Sequence, residues 1–257
     1  MEKPFVVVGV TTSLDGRLSL APKETLETGY KINLDNYPKF QNLFGDWQPI
    51  ETKIKDLHKP DTFMEGSNMV MYEGQDIKPL PKFTGDPDNL YKDFLPGEVI
   101  DHAKRKYWLA IVDGKGRLRS GYKGNENPEN HIIHLTSFSV PPEYLAFLQN
   151  QKIPYLITGQ NRVDLRKMLQ KMYLKLGIKC ILTSSAGKLS GALIRENLID
   201  EINILLNPVV IGGFNTPILF ASQEVNPPEI LPTRLKLISL NRNKDGSVWL
   251  RYKVIHN

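Results

Sequence analysis

An apolar run that ends in small residues and then opens a helical pattern constrains this chain more than any other feature. Cys180, Ile181, Leu182 and Thr183 read as the end of a strand, Ser184, Ser185, Ala186 and Gly187 as a tight turn, and the residues from about Gly187 to Glu196 as a helix. A strand that hands over to a helix in this way is half of a βαβ unit, and such units build parallel sheets. The same alternation fills the second half of the chain, with strands expected at 107–112, 132–136, 154–158, 178–183 and 202–206 and helices at 142–149 and 163–176. In the last of these helices Leu165, Met168, Leu169, Met172 and Leu176 fall on one face, and Gly177 supplies the stop. Phe5, Val6, Val7, Val8, Gly9 and Val10 form a short, nearly continuous apolar run, as a strand covered on both faces requires. Two alternating runs, 235–240 and 248–255, flank Asn243, Lys244, Asp245 and Gly246, which is a hairpin signal. The expectation is an α/β fold: a central, mostly parallel sheet flanked by helices, with a C-terminal antiparallel hairpin at its edge.

Two stretches lack any period, about 21–49 and 73–100; the first is rich in Pro, Asn, Tyr and Lys, and the second is broken by repeated prolines. Both are expected as irregular insertions in one domain spanning 1–257, the first lid-like in use. Between them, residues 50–58 read as a short helix stopped by Pro60, and 62–64 as a brief strand.

Composition narrows the partners. The 33 basic and 28 acidic residues are thoroughly mixed, so the net charge of +5 gives a mildly positive surface rather than a polybasic arm. That suits a phosphorylated small molecule. An RNA-binding reading rests on charge alone, and neither nucleic acid nor a membrane is expected as a partner. A single cysteine, Cys180, excludes an internal disulfide and a CxxC metal site, and in its apolar run a buried structural thiol is expected. The five histidines show no HxxxH spacing, so no metal is expected. Neither a GxSxG elbow nor a GxxxxGK[ST] loop is present. The first ten residues are too short for a signal peptide, and no apolar run approaches ~18 residues, which makes the cytoplasm the expected compartment.

Three turns carry candidate chemistry. Ser184, Ser185, Ala186 and Gly187 leave backbone N–H groups at the positive end of a helix, which serves a phosphate or, equally well, an ordinary N-cap. Ser13, Leu14, Asp15, Gly16 and Arg17 close the first strand, where ligands of open α/β sheets gather; Asp15 is a candidate for a sugar hydroxyl or heterocycle, or simply a turn former. Asp113, Gly114, Lys115 and Arg117 follow a central strand, where a basic residue can pair with the 2′-phosphate that separates NADPH from NADH, or can belong to a solvated loop.

Taken together, three segments resemble the C-terminal reductase domain of the bifunctional riboflavin-biosynthesis deaminase/reductase, a member of the dihydrofolate-reductase-like superfamily. Residues 5–18 are similar to that family's strand and S-L-D-G-[KR]-[IL] turn. Residues 178–198 are similar to its strand, glycine-rich turn and helix. Ile199, Asp200, Glu201 and Ile202, through Asn207, Pro208, Val209, Val210, Ile211, Gly212 and Gly213, are similar to its V-D-E-[LI] strand and A-P-[VL]-[LIV]-x-G-G turn. The resemblance implies an NADPH-dependent reductase like 5-amino-6-(5-phosphoribosylamino)uracil reductase, which reduces the ribose of a phosphoribosylaminopyrimidine to a ribityl chain. Alternatives on the same fold are a reductase of another substrate and a non-catalytic nucleotide-binding module.

The resemblance also implies a site. Ala186, Gly187, Lys188, Leu189 and Ser190 would hold the cofactor's phosphates; Gly66, Ser67, Asn68 and Met69 would line its adenine-nucleotide side; Thr11, Thr136 and Arg117 would reach other parts of it. Ser13, Asp15 and Ser184 would face the substrate, and Asp15 is the candidate catalytic residue, though not as a proton donor. Two departures stand out: Ser184, Ser185 and Ala186 replace the family's Glu-Gly-Gly, and Met69 replaces a threonine. A homodimer formed through the sheet edge is expected from the same resemblance.

Overall fold

The structure is a computed structural model, described here for residues 2–20, 44–69, 77–101, 105–123, 129–226, 229 and 231–256. Most of the expected insertion at 21–49 therefore lies outside the described residues. In chain order the elements are β1 (Phe5–Ser13), α1 (Gln48–His58), β2 (Thr62–Gly66), α2 (Gly97–Ile100), β3 (Tyr107–Val112), β4 (Asn130–Thr136), α3 (Pro142–Asn150), β5 (Tyr155–Ile157), α4 (Leu165–Leu176), β6 (Cys180–Thr183), α5 (Lys188–Arg195), β7 (Glu201–Asn207), β8 (Arg234–Arg242) and β9 (Val248–Ile255). Single 3₁₀ turns occur at Ser67–Met69 and Pro87–Asn89.

Local chemistry explains where these elements begin and end. In β1, Val6, Val7, Val8 and Val10 are all buried, as the unbroken apolar run predicts. Helix α4 opens at Leu165 rather than Val163 because the Asp164 carboxylate accepts the N–H of Lys167 and so acts as the cap. It buries Leu165, Met168, Leu169 and Met172, and Gly177 ends it in the left-handed conformation. Helix α1 starts two residues before the expected Ile50, with proline in its first turn. Cys180 is buried, as its apolar setting predicts.

The chain divides into two compact units: Pro60–Ile181 with Met1–Pro4, and Phe5–Lys59 with Leu182–Asn257. In the first unit the strands run β5-β4-β3-β2, all parallel. The register pairs Gly66 with Val112, Val112 with Leu135, and Thr136 with Ile157, so the carboxyl ends of the four strands stand level. Beneath them Ile111, Ile132, Tyr144, Leu145, Leu148, Ile153 and Tyr155 form a core between strands and α3. The expected irregular segment is irregular over its described part apart from the Pro87–Asn89 turn and α2, and it has a job. Phe94 exchanges both backbone hydrogen bonds with Tyr155, and Asp93 accepts the N–H of Ile157, so the outer edge of β5 is covered.

In the second unit β1 pairs in parallel with β7, β7 antiparallel with β9, and β9 antiparallel with β8. The hairpin expected between the last two strands closes through Asn243 and Ser247, with Gly246 at φ +85°. At the amino-terminal end of β7, burial alone would raise the Glu201 carboxyl, but hydrogen bonds from His58, Asn203 and Arg251 outweigh it and hold it at about 2. That ion cluster fastens α1 and β9 to the sheet and leaves the opposite, carboxyl end for other use.

Candidate functional site

The carboxyl end of β1 and β7 is organised by one carboxylate. Ser13 pairs with Asn207 across the two strands, and immediately beyond, Asp15 accepts the N–H of Ile211 (3.1 Å) and of Gly212 (2.7 Å) and the hydroxyl of Ser13 (2.6 Å). The Ser13 and backbone hydrogen bonds hold the Asp15 carboxyl at about 2. The two turns that looked independent in the sequence are thus one structure, with Asp15 as its clasp. Its oxygens are committed to protein donors, which gives it a holding role. Thr11 is likewise engaged: its hydroxyl accepts from the Asn207 side-chain amide at 2.9 Å.

Segment 216–221 then ties this turn to the start of α5. Leu219 donates its N–H to the carbonyl of Gly16 and accepts the N–H of Gly187 at 2.8 Å, while Ala221 donates to the carbonyl of Gly187. Leu18 donates to Pro217, and Arg17 reaches the carbonyl of Thr216 with its guanidinium. Sequence reasoning missed segment 216–221 entirely, because it works through main-chain groups that leave no mark on residue identity.

At the head of α5 the alternative between capping and anion binding can be examined amide by amide. Gly187 sits at φ +69°, ψ −123°, a conformation that only glycine adopts without strain, and no side chain caps the helix. Ala186 donates to Ser184, Gly187 to Leu219, Ser190 to Ser185 and Gly191 to Gly187. Lys188 and Leu189, in the first turn, have no acceptor among the described residues, so two N–H groups stand at the positive end of the helix dipole with nothing to satisfy them. Of the residues the resemblance assigned to the phosphates, only these two retain main-chain donors. Ser184 accepts Ala186 through its carbonyl.

In the first unit the strand ends carry a row of buried polar residues: Ser67, Asp113, Thr136, Ser137 and Thr158. Arg117 donates through Nη2 to Ser67 Oγ (2.6 Å) and to Asn68 Oδ1, which leaves Nε and Nη1 without an acceptor among the described residues. Thr136 Oγ1 is fully buried and has no hydrogen-bond partner among the described residues, an orphan that calls for a ligand or water. Gly66 ends β2, and Ser67, Asn68 and Met69 form the 3₁₀ turn that follows it, Met69 half-buried. The structure groups Ser67, Asn68 and Arg117 by direct contact. Among the described residues no cluster of His, Cys, Asp and Glu gathers as metal ligands would, and no helix is long and apolar enough to cross a membrane.

These features can be set beside known proteins. The RibD C-terminal domain family matches residues 4–248. A 2,5-diamino-6-ribosylamino-4(3H)-pyrimidinone 5′-phosphate reductase of Archaeoglobus fulgidus is 36% identical over 215 residues, covering 84% of this chain and 85% of the relative. A reductase of the same name from Aquifex aeolicus is 27% identical over 224 residues, covering 87% and 85%. Among solved structures, Acinetobacter baumannii RibD superposes with a TM-score of 0.58 at 18% identity; the match takes in 99% of this chain but only 59% of that protein's length. A pyrimidine reductase-like protein of Corynebacterium diphtheriae gives 0.59 at 13% identity, covering 99% and 93%. The structural likenesses establish the expected dihydrofolate-reductase-like α/β fold, with its mostly parallel sheet and antiparallel C-terminal strands. The extent of the family match and the identity to the archaeal relative establish more than fold: this chain is a member of the RibD C-terminal domain family.

Proposed function

We propose that this chain is an NADPH-dependent reductase of riboflavin biosynthesis, acting on the ribosyl group of a 5′-phosphorylated ribosylaminopyrimidine as a cytoplasmic enzyme. The names of the Archaeoglobus and Aquifex relatives support the reaction, and favour a 2,5-diaminopyrimidinone base over the aminouracil that the sequence resemblance suggested. The observation that carries the reading is the pair of unsatisfied amides of Lys188 and Leu189, held open by Gly187 at the head of α5. Such amides take a dinucleotide's pyrophosphate.

Each unit, taken by itself, carries residues that fit a part of the cofactor. Lys188 and Leu189 would hold its phosphates. Arg117, with Nε and Nη1 uncommitted, would pair with the 2′-phosphate and so favour NADPH over NADH. Thr136 Oγ1 would supply a hydrogen bond that the protein itself leaves unmade. NADPH, when bound, supplies the hydride that reduces the ribosyl carbon and opens the ring. The chain's own residues contribute orientation more than acid/base chemistry. Asp15, ionised and fully engaged, positions the 207–213 turn rather than giving up a proton. Ser13 and Ser184 stand at the same strand ends as candidates to face the substrate. The lone buried Cys180 suits a reducing compartment.

The test is a turnover assay. The purified chain, given NADPH and 2,5-diamino-6-ribosylamino-4(3H)-pyrimidinone 5′-phosphate, should oxidise the nucleotide, and with NADH it should do so poorly. Binding of NADPH without oxidation on this substrate or its aminouracil counterpart would leave a nucleotide-binding module instead.

The reading includes a homodimer. Strand β8 pairs only with β9 among the described residues, and its Leu235, Leu237, Ile238 and Leu240 are exposed along a bare edge. A second copy adding its own β8 would cover them. Sedimentation should give twice the chain mass, and Leu237→Lys should return the protein to a monomer; a parental protein that sediments at one chain's mass contradicts this.

A further inference from the structure

Turn 113–118 carries Arg117, and its shape is set from below by buried groups. Asp113 Oδ2 accepts two hydrogen bonds, from the N–H of Leu118 (2.8 Å) and from the hydroxyl of Tyr144 (3.1 Å). Tyr144 lies on α3 and is fully buried, and its hydroxyl also meets His134 Nδ1 at 2.6 Å. A phenol has one proton. If Tyr144 gives it to Asp113, His134 Nδ1 must carry the hydrogen of the second bond, so the chain runs His134 to Tyr144 to Asp113 in one direction.

The aromatic ring matters as much as the hydroxyl. Gly116 stands at φ +63°, and a Cβ there would lie 2.8 Å from the Tyr144 ring, so the turn is wrapped directly on the ring face. The Gly116 N–H returns to the Asp113 carbonyl, and Arg119 Nε closes on the Gly116 carbonyl at 3.0 Å. On the far side, Ser137 and Ser139 donate to the carbonyl of Gly114. The turn is thus anchored at Asp113, Gly114, Gly116 and Leu118, and from it Arg117 reaches Ser67 and Asn68.

We infer that His134 and Tyr144 are positioning residues for cofactor selection, acting through Asp113 and the 113–118 turn to place the Arg117 guanidinium. This rests on the reading of Arg117 as the partner of the 2′-phosphate, and the experiment separates the two claims. Burial pushes the Tyr144 hydroxyl well above its ordinary range, with the Asp113 charge adding to it, so Tyr144 remains a proton donor at any working pH.

The measurement is the ratio of NADP⁺ affinity to NAD⁺ affinity, by calorimetric titration, with the ratio of kcat/KM for NADPH to that for NADH beside it, in four proteins: parental, Arg117→Gln, Tyr144→Phe and the double variant. Arg117→Gln should lower the ratio by roughly tenfold or more, the loss of a charge-assisted pair. Tyr144→Phe should lower it several-fold on its own and should have no further effect in the Arg117→Gln background, because its action passes through Arg117. Loss of stability alone leaves the ratio unmoved. If Arg117→Gln lowers the ratio and Tyr144→Phe leaves it parental, or if the two effects multiply, the inference is overturned while the Arg117 reading stands. If Arg117→Gln itself leaves the ratio unchanged, the Arg117 reading falls and takes the inference with it. Should Tyr144→Phe fail to fold, His134→Gln interrupts the same chain at its far end and is read by the same ratio, with the same outcomes deciding.

Discussion

The loops at the strand ends of the two units are built by opposite means. In the first unit, turn 113–118 is held by side chains: the Asp113 carboxylate, the Tyr144 ring and hydroxyl, and the Ser137 and Ser139 hydroxyls. In the second, the Asp15 carboxylate clasps turn 13–18 to Ile211 and Gly212, but that turn and the head of α5 are joined mainly by main-chain groups, with the N–H and the C=O of Leu219 bonding Gly16 and Gly187. A side-chain scaffold can be tuned by conservative substitution and can titrate. A main-chain scaffold is indifferent to most side chains and intolerant of any change that removes glycine's conformational freedom.

The largest expected effect tests the main-chain half. Gly187→Glu forces a side chain onto φ +69° and sets a carboxylate beside the open amides of Lys188 and Leu189. NADPH affinity, measured by calorimetric titration, should fall by roughly a thousandfold. Parental affinity would show that the turn is a helix cap and nothing more.

Next comes the titrating half. Burial drives His134 down to about 4, against the raising pull of Asp113, while its unfolded value is 6.5. The unfolded chain therefore takes up this proton first as the pH falls. Stability is complete above about 6.5 and is lost as the pH drops toward 4, by on the order of 3 kcal/mol if the whole shift is expressed. Urea midpoints at pH 7.5, 6 and 5 should fall in the parental protein and flatten in His134→Gln. An equally steep decline in the variant would assign the acid sensitivity elsewhere. Asp15 and Glu201, both held at about 2, lose their contributions below their ordinary values of 3.8 and 4.5, so most of their effect comes at lower pH than that of His134.

The smallest effect is the most discriminating. Thr136→Val removes a buried hydroxyl that has no partner among the described residues. Folding stability should change by less than about 1 kcal/mol, in either direction, while KM for NADPH rises a few-fold. A protein destabilised without any change in KM would show that the hydroxyl serves the fold.

The same contrast governs what was legible in the sequence. The hydrophobic runs of β1, the periodic face of α4 and the Asp-Gly turn before β9 are packing and propensity signals, and each element formed where they pointed. The pairing of Asp15 with Ile211 and Gly212 was not legible, because each partner reads as a turn former in its own right and nothing local says that one turn clasps the other. Tyr144 was invisible for another reason: on an apolar helix face a tyrosine looks like core, and it is core, with one polar atom turned to use. Leu219 could not be found at all, since any residue has the N–H and C=O it employs. Asp113 was seen only as a turn opener, and its buried hydrogen bonds to Tyr144 and Leu118 needed the sheet register to appear. What the residues of the site do was thus carried by resemblance, and the structure adds which main-chain donors are open: two amides, Lys188 and Leu189, in the stretch proposed for the phosphates.

Those two amides are the most direct point of attack. In a ¹⁵N-labelled sample titrated with NADP⁺, the account predicts that the amide resonances of Lys188 and Leu189 move most within 184–191, saturating together, while Ala186 and Gly187, already bonded to Ser184 and Leu219, move little. Resonances of Lys188 and Leu189 that stay in place at saturating nucleotide would contradict it.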